Sequence, residues 1–205
     1  ADGCVKTREC QPCITMQLKS TDKYILEELK VELQTDNIIE YNKKRDHSTL
    51  RVHSQKMAND LEKYGIIPRK TGQEKLPLEL LPDDMVRHFI RGFFDGDGWI
   101  TLTSSHGKPN KLLGIGFAGN VDMLTDIKNY FVKKLKGSFN VNPYVYNDRA
   151  KGYNGFSELI FYKLSDCVKI CEWLYKDATV FLTRKRDVFI NASSLISSRL
   201  NQQPA

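Results

Sequence analysis

Two aspartates, Asp2 and Asp97, are each followed by a glycine and then by a short stretch of alternating apolar and polar residues, Cys4-Val-Lys-Thr-Arg after the first and Trp99-Ile-Thr-Leu-Thr after the second. Alternation of that kind marks a half-buried strand. The run before Asp97 is helical in character, so the acid stands where a helix ends, at the negative pole of its dipole. Two such carboxylates brought together repel one another. A cation resolves that arrangement. Hard divalent ions such as Mg2+ take oxygen ligands from one or two carboxylates, backbone carbonyls, water and phosphate, and a metal held so can assist phosphodiester hydrolysis. The bland reading of each Asp-Gly pair is a helix end followed by a turn.

The element that must position Asp97 starts at Pro82-Asp83, which serve as helix start signals. Met85, Val86, Phe89, Ile90, Phe93 and Phe94 then recur at helical spacing as an apolar stripe. Gly92 and Gly96 interrupt it, each at a cost of about 1 kcal/mol in a helix interior. Close approach of a second helix backbone offsets such a cost, so these glycines predict a helix–helix interface and a route by which Asp2 and Asp97 meet.

The phrase belongs to a larger repeat. Cys13-Ile-Thr-Met-Gln-Leu-Lys runs into a capped amphipathic helix beginning at Ser20-Thr-Asp, as Leu113-Gly-Ile-Gly-Phe-Ala runs into one beginning at Asn120-Val-Asp. Leu50-Arg-Val-His precedes a helix ending in Ile67-Pro-Arg-Lys, and Leu159-Ile-Phe-Tyr precedes one ending in Leu182-Thr-Arg-Lys. The offset between copies is 95 at the acid (2 to 97), 100 at the helix start (22 to 122) and 115 at the final lysine (70 to 185). The growing offset places insertions in loops of the second copy, at 106–110 and 147–156, where Gly, Pro, Asn and Asp gather. The expected organisation is a first repeat over 1–71, a linker over 72–83 holding Gly72, Pro77 and Pro82, and a second repeat over 84–205.

Composition sets the outer limits. A chain of 205 residues, 40% hydrophobic, can bury a real core as one domain or two small fused ones. The 31 Lys and Arg residues outnumber the 25 acids for a net charge of +6, which suits a polyanionic partner. No apolar stretch approaches the ~20 residues needed to span a bilayer, and no signal peptide opens the chain, so no membrane partner is expected. The five cysteines include Cys10 and Cys13 as a lone C-x-x-C, but no histidine completes a zinc site at suitable spacing. Unpaired thiols in a reducing, intracellular compartment are expected instead.

Ile90-Arg-Gly-Phe-Phe-Asp-Gly-Asp-Gly resembles the signature of the LAGLIDADG homing endonucleases, and Ala1-Asp-Gly resembles the last three letters of a first signature. The resemblance spans essentially the whole chain and implies an α+β fold of two pseudo-symmetric αββαββα repeats, with antiparallel saddle-shaped sheets around a central two-helix interface. It implies a monomeric, site-specific double-strand DNA endonuclease using Mg2+. An RNA maturase acting on intron RNA, or a DNA-binding regulator, is the alternative on the same scaffold. Position by position, it makes Asp2 and Asp97 the metal-binding acids, assisted by the carbonyls of Ala1 and Gly96, and leaves Asp95 structural. Lys70 and Lys185 match the family's basic residue near the scissile phosphates, and Ser20 and Asn120 match a polar position at the end of the second strand. The family's first signature helix would precede Ala1, so the resemblance predicts that this helix lies upstream or is supplied from elsewhere.

Family members lay one sheet per repeat along the major groove, and the strands here are compatible with that. Ile14, Met16 and Leu18 alternate with Thr15, Gln17 and Lys19, while Leu50 and Val52 oppose Arg51 and His53. Lys6, Arg8, Lys43 and Arg45 add charge to strands or hairpin tips. In the second repeat Phe139, Val141 and Val145 alternate with Asn140, Asn142, Tyr144 and Tyr146; Thr101 and Thr103 join the reading face, and Arg149 and Lys151 lie in the long loop. Such side chains offer donors and acceptors to base edges and cations to phosphates. A strand of ~7 residues spans roughly 23 Å, about seven base pairs, so two repeats imply a long, asymmetric target.

Overall fold

The structure, a computed structural model, describes residues 3–6, 11–68, 75–104, 111–146 and 157–200. Its contacts divide the chain into two units, Ala1–Leu81 and Pro82–Ala205, a division inside the stretch 72–83.

In the first unit, strands β1 (Gly3–Lys6), β2 (Cys13–Lys19), β3 (Glu40–Asn42) and β4 (His47–His53) form an antiparallel sheet in the order β1-β2-β4-β3, with helices α1 (Lys23–Glu32) and α2 (Gln55–Lys63). The period-two pattern puts Val5 and Ile14, which pair across β1 and β2, on one face. There they pack with Ala58, Met57 and Leu61 of α2 and with Ile66 beyond it. Ser54 starts α2 by accepting the Met57 N–H at 3.1 Å. Gly65, at φ +75°, ends it: its own N–H reaches the Glu62 carbonyl at 2.9 Å and the Ile66 N–H reaches that of Leu61 at 3.0 Å. This left-handed cap turns Ile66 back onto the core.

The second unit opens with α3 (Asp83–Asp97). Strands β5 (Gly98–Ser104), β6 (Lys111–Gly119), β7 (Tyr144–Val145) and β8 (Ser157–Phe161) follow in the order β5-β6-β8-β7, with α4 (Val121–Leu135), α5 (Leu164–Tyr175) and α6 (Thr183–Leu200). The strand order of the first unit thus recurs in the second. Two antiparallel four-stranded sheets with six α-helices among the described residues make the α+β class expected from sequence. The second core is aromatic: Phe94, Phe117, Phe131, Phe139 and Phe161 are all fully buried. Phe117 touches Phe94 with ring centroids at 5.1 Å and Phe131 at 5.8 Å, in the tilted arrangement that aromatic quadrupoles favour. No helix among the described residues is long and apolar enough to cross a membrane.

The structure corrects three local expectations. A 3-10 turn, Ser20–Asp22, precedes α1, so that helix begins at Lys23 and Ser20 is not its cap. The helix expected to end at Lys185 ends at Tyr175: Ala178 N–H bonds back to the Tyr175 carbonyl at 3.2 Å and Asp177 turns left-handed at φ +52°, so Lys185 lies in the first turn of a separate helix. Finally, Phe139 is not part of a strand. Its φ is +30° and its ring inserts into the core, while its N–H is taken by the buried Asp166 carboxylate at 3.2 Å. Only Tyr144–Val145 pair as β7, and Asn140 and Asn142 stand before it. The predicted insertions at 106–110 and 147–156 lie outside the described residues.

Candidate metal site and nucleic-acid interface

Helix α3 runs directly into β5 with no turn between Asp97 and Gly98. The glycine is required by the last turn of the helix: a Cβ on it would lie 2.4 Å from the Phe94 ring and 2.6 Å from the Phe94 carbonyl oxygen. The buried stripe Val86, Ile90 and Phe94 fixes the rotation of α3 on its own sheet, so the position of Asp97 follows from core packing. Gly92 lies on the opposite side, exposed, where an added Cβ would meet nothing within 4 Å.

Lys185 reaches this helix end from α6. It is only 4% exposed, and its ammonium donates to the carbonyls of Phe94, Asp95 (2.9 Å) and Gly98 while sitting 4.8 Å over the Phe94 ring. The last carbonyls of a helix have no partner within it, and a cation there also complements the dipole. The α3 side chains reciprocate. The Asp95 carboxylate accepts the Leu182 N–H at 3.1 Å, just before α6, and the buried Arg91 donates to the carbonyls of Val180 (3.0 Å) and Leu174 (3.3 Å). Burial lifts the Asp95 carboxyl to about 6, against the downward pull of the Leu182 N–H, Lys185 and Arg91.

This placement differs from the lysine directed at a phosphate that the family resemblance implies, because the ammonium donates to three main-chain oxygens. Arg91 and Asp95 escaped sequence reasoning as partners, since their carbonyl and amide acceptors and donors lie more than eighty positions away in sequence. Ala1, Asp2 and Lys70 lie outside the described residues, as do Arg8, Arg149 and Lys151. Ser20 hydrogen-bonds through its hydroxyl to Asp46 in the β3–β4 turn, and its N–H reaches the Asp46 carbonyl at 3.0 Å. Asn120 is the N-cap of α4, accepting the Met123 N–H at 2.9 Å. Both hold the corner where the second strand of a unit meets its helix.

The sheet faces opposite the cores differ in chemistry. In the first unit the register brings Thr15 across from Arg51, Gln17 across from Thr49 and Lys19 across from His47. Gln17 donates to the Thr49 hydroxyl at 3.2 Å, and Arg51 pairs with Glu40. Lys6 and His53, both exposed, share that face across from Cys13. Lys43 and Arg45 are exposed in the β3–β4 turn.

In the second unit the matching face carries Trp99, Thr101, Thr103, Gly114, Gly116, Glu158 and Tyr144. The Glu158 carboxylate accepts from Trp99 Nε1 at 3.1 Å and from the Tyr146 hydroxyl at 2.6 Å. That network joins β5, β8 and the residue just after β7, so no local sequence signal announces it. Asn142 accepts from Lys128 at 2.9 Å, and Asn140 is exposed.

Among the described residues no group of three or more His, Cys, Asp or Glu side chains converges. Asp97 with the Gly96 carbonyl nevertheless suits a hard divalent ion, which commonly binds one or two carboxylates and completes its shell with water and phosphate. Cys4, Cys13, Cys167 and Cys171 are free thiols, and burial pushes the Cys167 thiol up to about 12.

A ββαββα order used in both units, with a helix leading straight into the first strand of the second, defines a two-repeat α+β fold. Among solved structures the chain is similar to the LAGLIDADG homing endonuclease I-GzeII in complex with its DNA target, at 12% identity over 98% of this chain and 87% of that one, with a TM-score of 0.65. It is similar to the I-LtrWI LAGLIDADG homing endonuclease bound to target DNA (11% identity, 97% and 87% covered, TM-score 0.64). It is also similar to the LAGLIDADG meganuclease I-AabMI bound to uncleaved DNA (16%, 97% and 88%, TM-score 0.59). No family model matches the sequence, and no curated protein matches it. The chain has the fold of the single-chain, two-domain LAGLIDADG homing endonucleases.

Proposed function

We propose that the chain is a LAGLIDADG-type homing endonuclease, a site-specific enzyme that hydrolyses both strands of duplex DNA at a long, asymmetric target with Mg2+. The observation that carries this reading is the anchored acidic end of α3. Asp97 stands where the helix enters β5, and the three carbonyls around it are locked by Lys185. Asp97 and the Gly96 carbonyl would hold the ion, with Asp2 and the Ala1 carbonyl as the matching donors of the first repeat. Bound Mg2+ would neutralise phosphate charge and acidify a water molecule. Lys185 acts as a positioning residue that keeps the Asp97 backbone at one depth. The sheet faces bind the duplex, and the net charge of +6 favours the encounter. DNA-bound structures of similar fold support this reading. Free thiols suit a reducing, intracellular compartment.

The test is linearisation of supercoiled plasmids carrying a randomised target library, with Mg2+ or with EDTA. The parent should cut a discrete subset only with Mg2+, and Asp97→Asn should bind that subset without cutting it. Cutting by Asp97→Asn at the parental rate would refute the assignment. Rescue of intron splicing with no cleavage of any target would replace it with the maturase reading.

A further inference from the structure

Matched topology makes the two open sheet faces comparable, and their chemistry differs. The first unit presents hydrogen-bonding and cationic side chains along Gln17, Lys19 and Arg51. The second presents rings and aliphatic groups beside Thr101, Thr103 and Glu158. Across β5, β6 and β8 the register aligns Trp99, Gly116 and Ile160, and a parallel row aligns Ala118, Glu158 and Tyr144.

The glycines of β6 let two rings lie directly on the strand. A Cβ at Gly116 would lie 2.2 Å from the Trp99 indole, and one at Gly114 would lie 2.9 Å from the Tyr162 ring, so both rings rest on bare backbone. Tyr144 and Tyr162 remain 63% and 62% exposed. The carboxylate of Glu158 accepts from Trp99 at one oxygen and from Tyr146 at the other, which ties both aromatic side chains to the face. Lys163, exposed, directly follows Tyr162.

We propose that the open face of the second unit reads the 5-methyl groups of thymines in the major groove of duplex DNA, with Trp99, Tyr144, Ile160 and Tyr162 as the contacting groups. This rests on the reading of the chain as a duplex-DNA enzyme. The thymine methyl is the apolar group that a base pair offers in the major groove, so an apolar surface there selects for it. Charge favours a polyanion over a protein partner, because the chain carries net +6. An added peptide strand would use a sheet edge and not its face. Rings on a sheet also suit unpaired bases, which stack on parallel plates. Here Trp99 and Tyr162 meet at 49° and Tyr144 and Tyr146 at 85°, a rough apolar surface unsuited to a continuous stack. The first unit, by contrast, reads its half of the target by hydrogen bonds.

The experiment uses the full 205-residue chain and a duplex recovered by that chain from a randomised library. Affinity is measured for the unmodified duplex and for two versions in which every thymine of one half is replaced by deoxyuridine, which pairs identically but lacks the methyl. Burying one methyl is worth about fourfold in affinity. The expected result is a loss of about fourfold for each thymine touched in one half and less than twofold for the whole other half. Tyr144→Ser, a change at an exposed side chain, should reduce the penalty in the sensitive half. Losses under twofold in both halves, or a sensitive half indifferent to Tyr144→Ser, would overturn the proposal while leaving the duplex reading intact. Recovery of no duplex, or tighter binding of the single strands, would overturn both.

Discussion

Asp95 and Lys185 hold each other's helices by opposite ends. The Asp95 carboxylate takes the Leu182 N–H at the start of α6, and the Lys185 ammonium donates to the Asp95 carbonyl, at 3.1 and 2.9 Å. The negative pole of α3 therefore meets a cation and the positive pole of α6 meets an acid, which is the favourable pairing at both dipoles. Asp97, two residues on from Asp95, inherits its position from this clasp.

Lys185→Met should remove the ammonium from three carbonyls of the α3 end, of which that of Phe94 keeps the Gly98 N–H. Each buried acceptor left unmade costs on the order of 1–3 kcal/mol, so a loss of roughly 3 kcal/mol or more is expected in urea unfolding. Lys185→Arg should not restore it, because a planar fork cannot converge on three oxygens as an ammonium does. Parental stability in Lys185→Met would show that the clasp contributes nothing.

The Asp95 carboxyl, raised from an ordinary 3.8 to about 6, gives the fold a distinct pH dependence. Between those values the folded chain holds a proton that the unfolded chain has released, so stability falls as pH rises through about 4 to 6, by roughly 3 kcal/mol in all. Below about 4 the two states are equally protonated, and above about 6 the cost is complete. Asp95→Asn should remove this component. Melting curves recorded from pH 4 to pH 7 should converge or cross between parent and variant; parallel curves would contradict the effect.

Two glycines of one motif should respond oppositely to alanine. Gly98→Ala places a Cβ 2.4 Å from the Phe94 ring and should destabilise the chain by on the order of 1–3 kcal/mol while suppressing cleavage, since Asp97 must shift. Gly92→Ala meets nothing within 4 Å and gains helix propensity, so it should stabilise this chain by up to about 1 kcal/mol. Thermal denaturation of both variants separates the outcomes, and a loss at Gly92 would indicate a helix packed on that side.

Gly116→Ala should displace the Trp99 indole and break its bond to Glu158. In a Trp173→Phe background, Trp99 is the remaining tryptophan, and its acrylamide quenching should rise. Unchanged quenching would mean that the indole does not lie on β6.

Much of the architecture was legible because its cause is local. Alternation along Ile14 to Lys19 and Leu50 to His53 sorts side chains between the two sides of a sheet, and the observed register keeps that sorting. The repeated landmarks announced two copies, and one strand order recurs in both units. The stripe through Val86, Ile90 and Phe94 located α3, since helical spacing is a property of neighbours in the chain.

Tertiary structure decided what depends on distant partners. Lys185 looks like a surface base, yet it is buried, because α5 stops at Tyr175 and a second helix brings it back over the end of α3. Tyr144 and Tyr146 read as polar strand residues, but their role as part of an apolar face depends on Trp99, Glu158 and the bare backbone of Gly114 and Gly116. Periodicity reports which side of an element a residue takes; only the packed chain determines what stands opposite, and that partner sets the charge, depth and hydrogen bonding of the site.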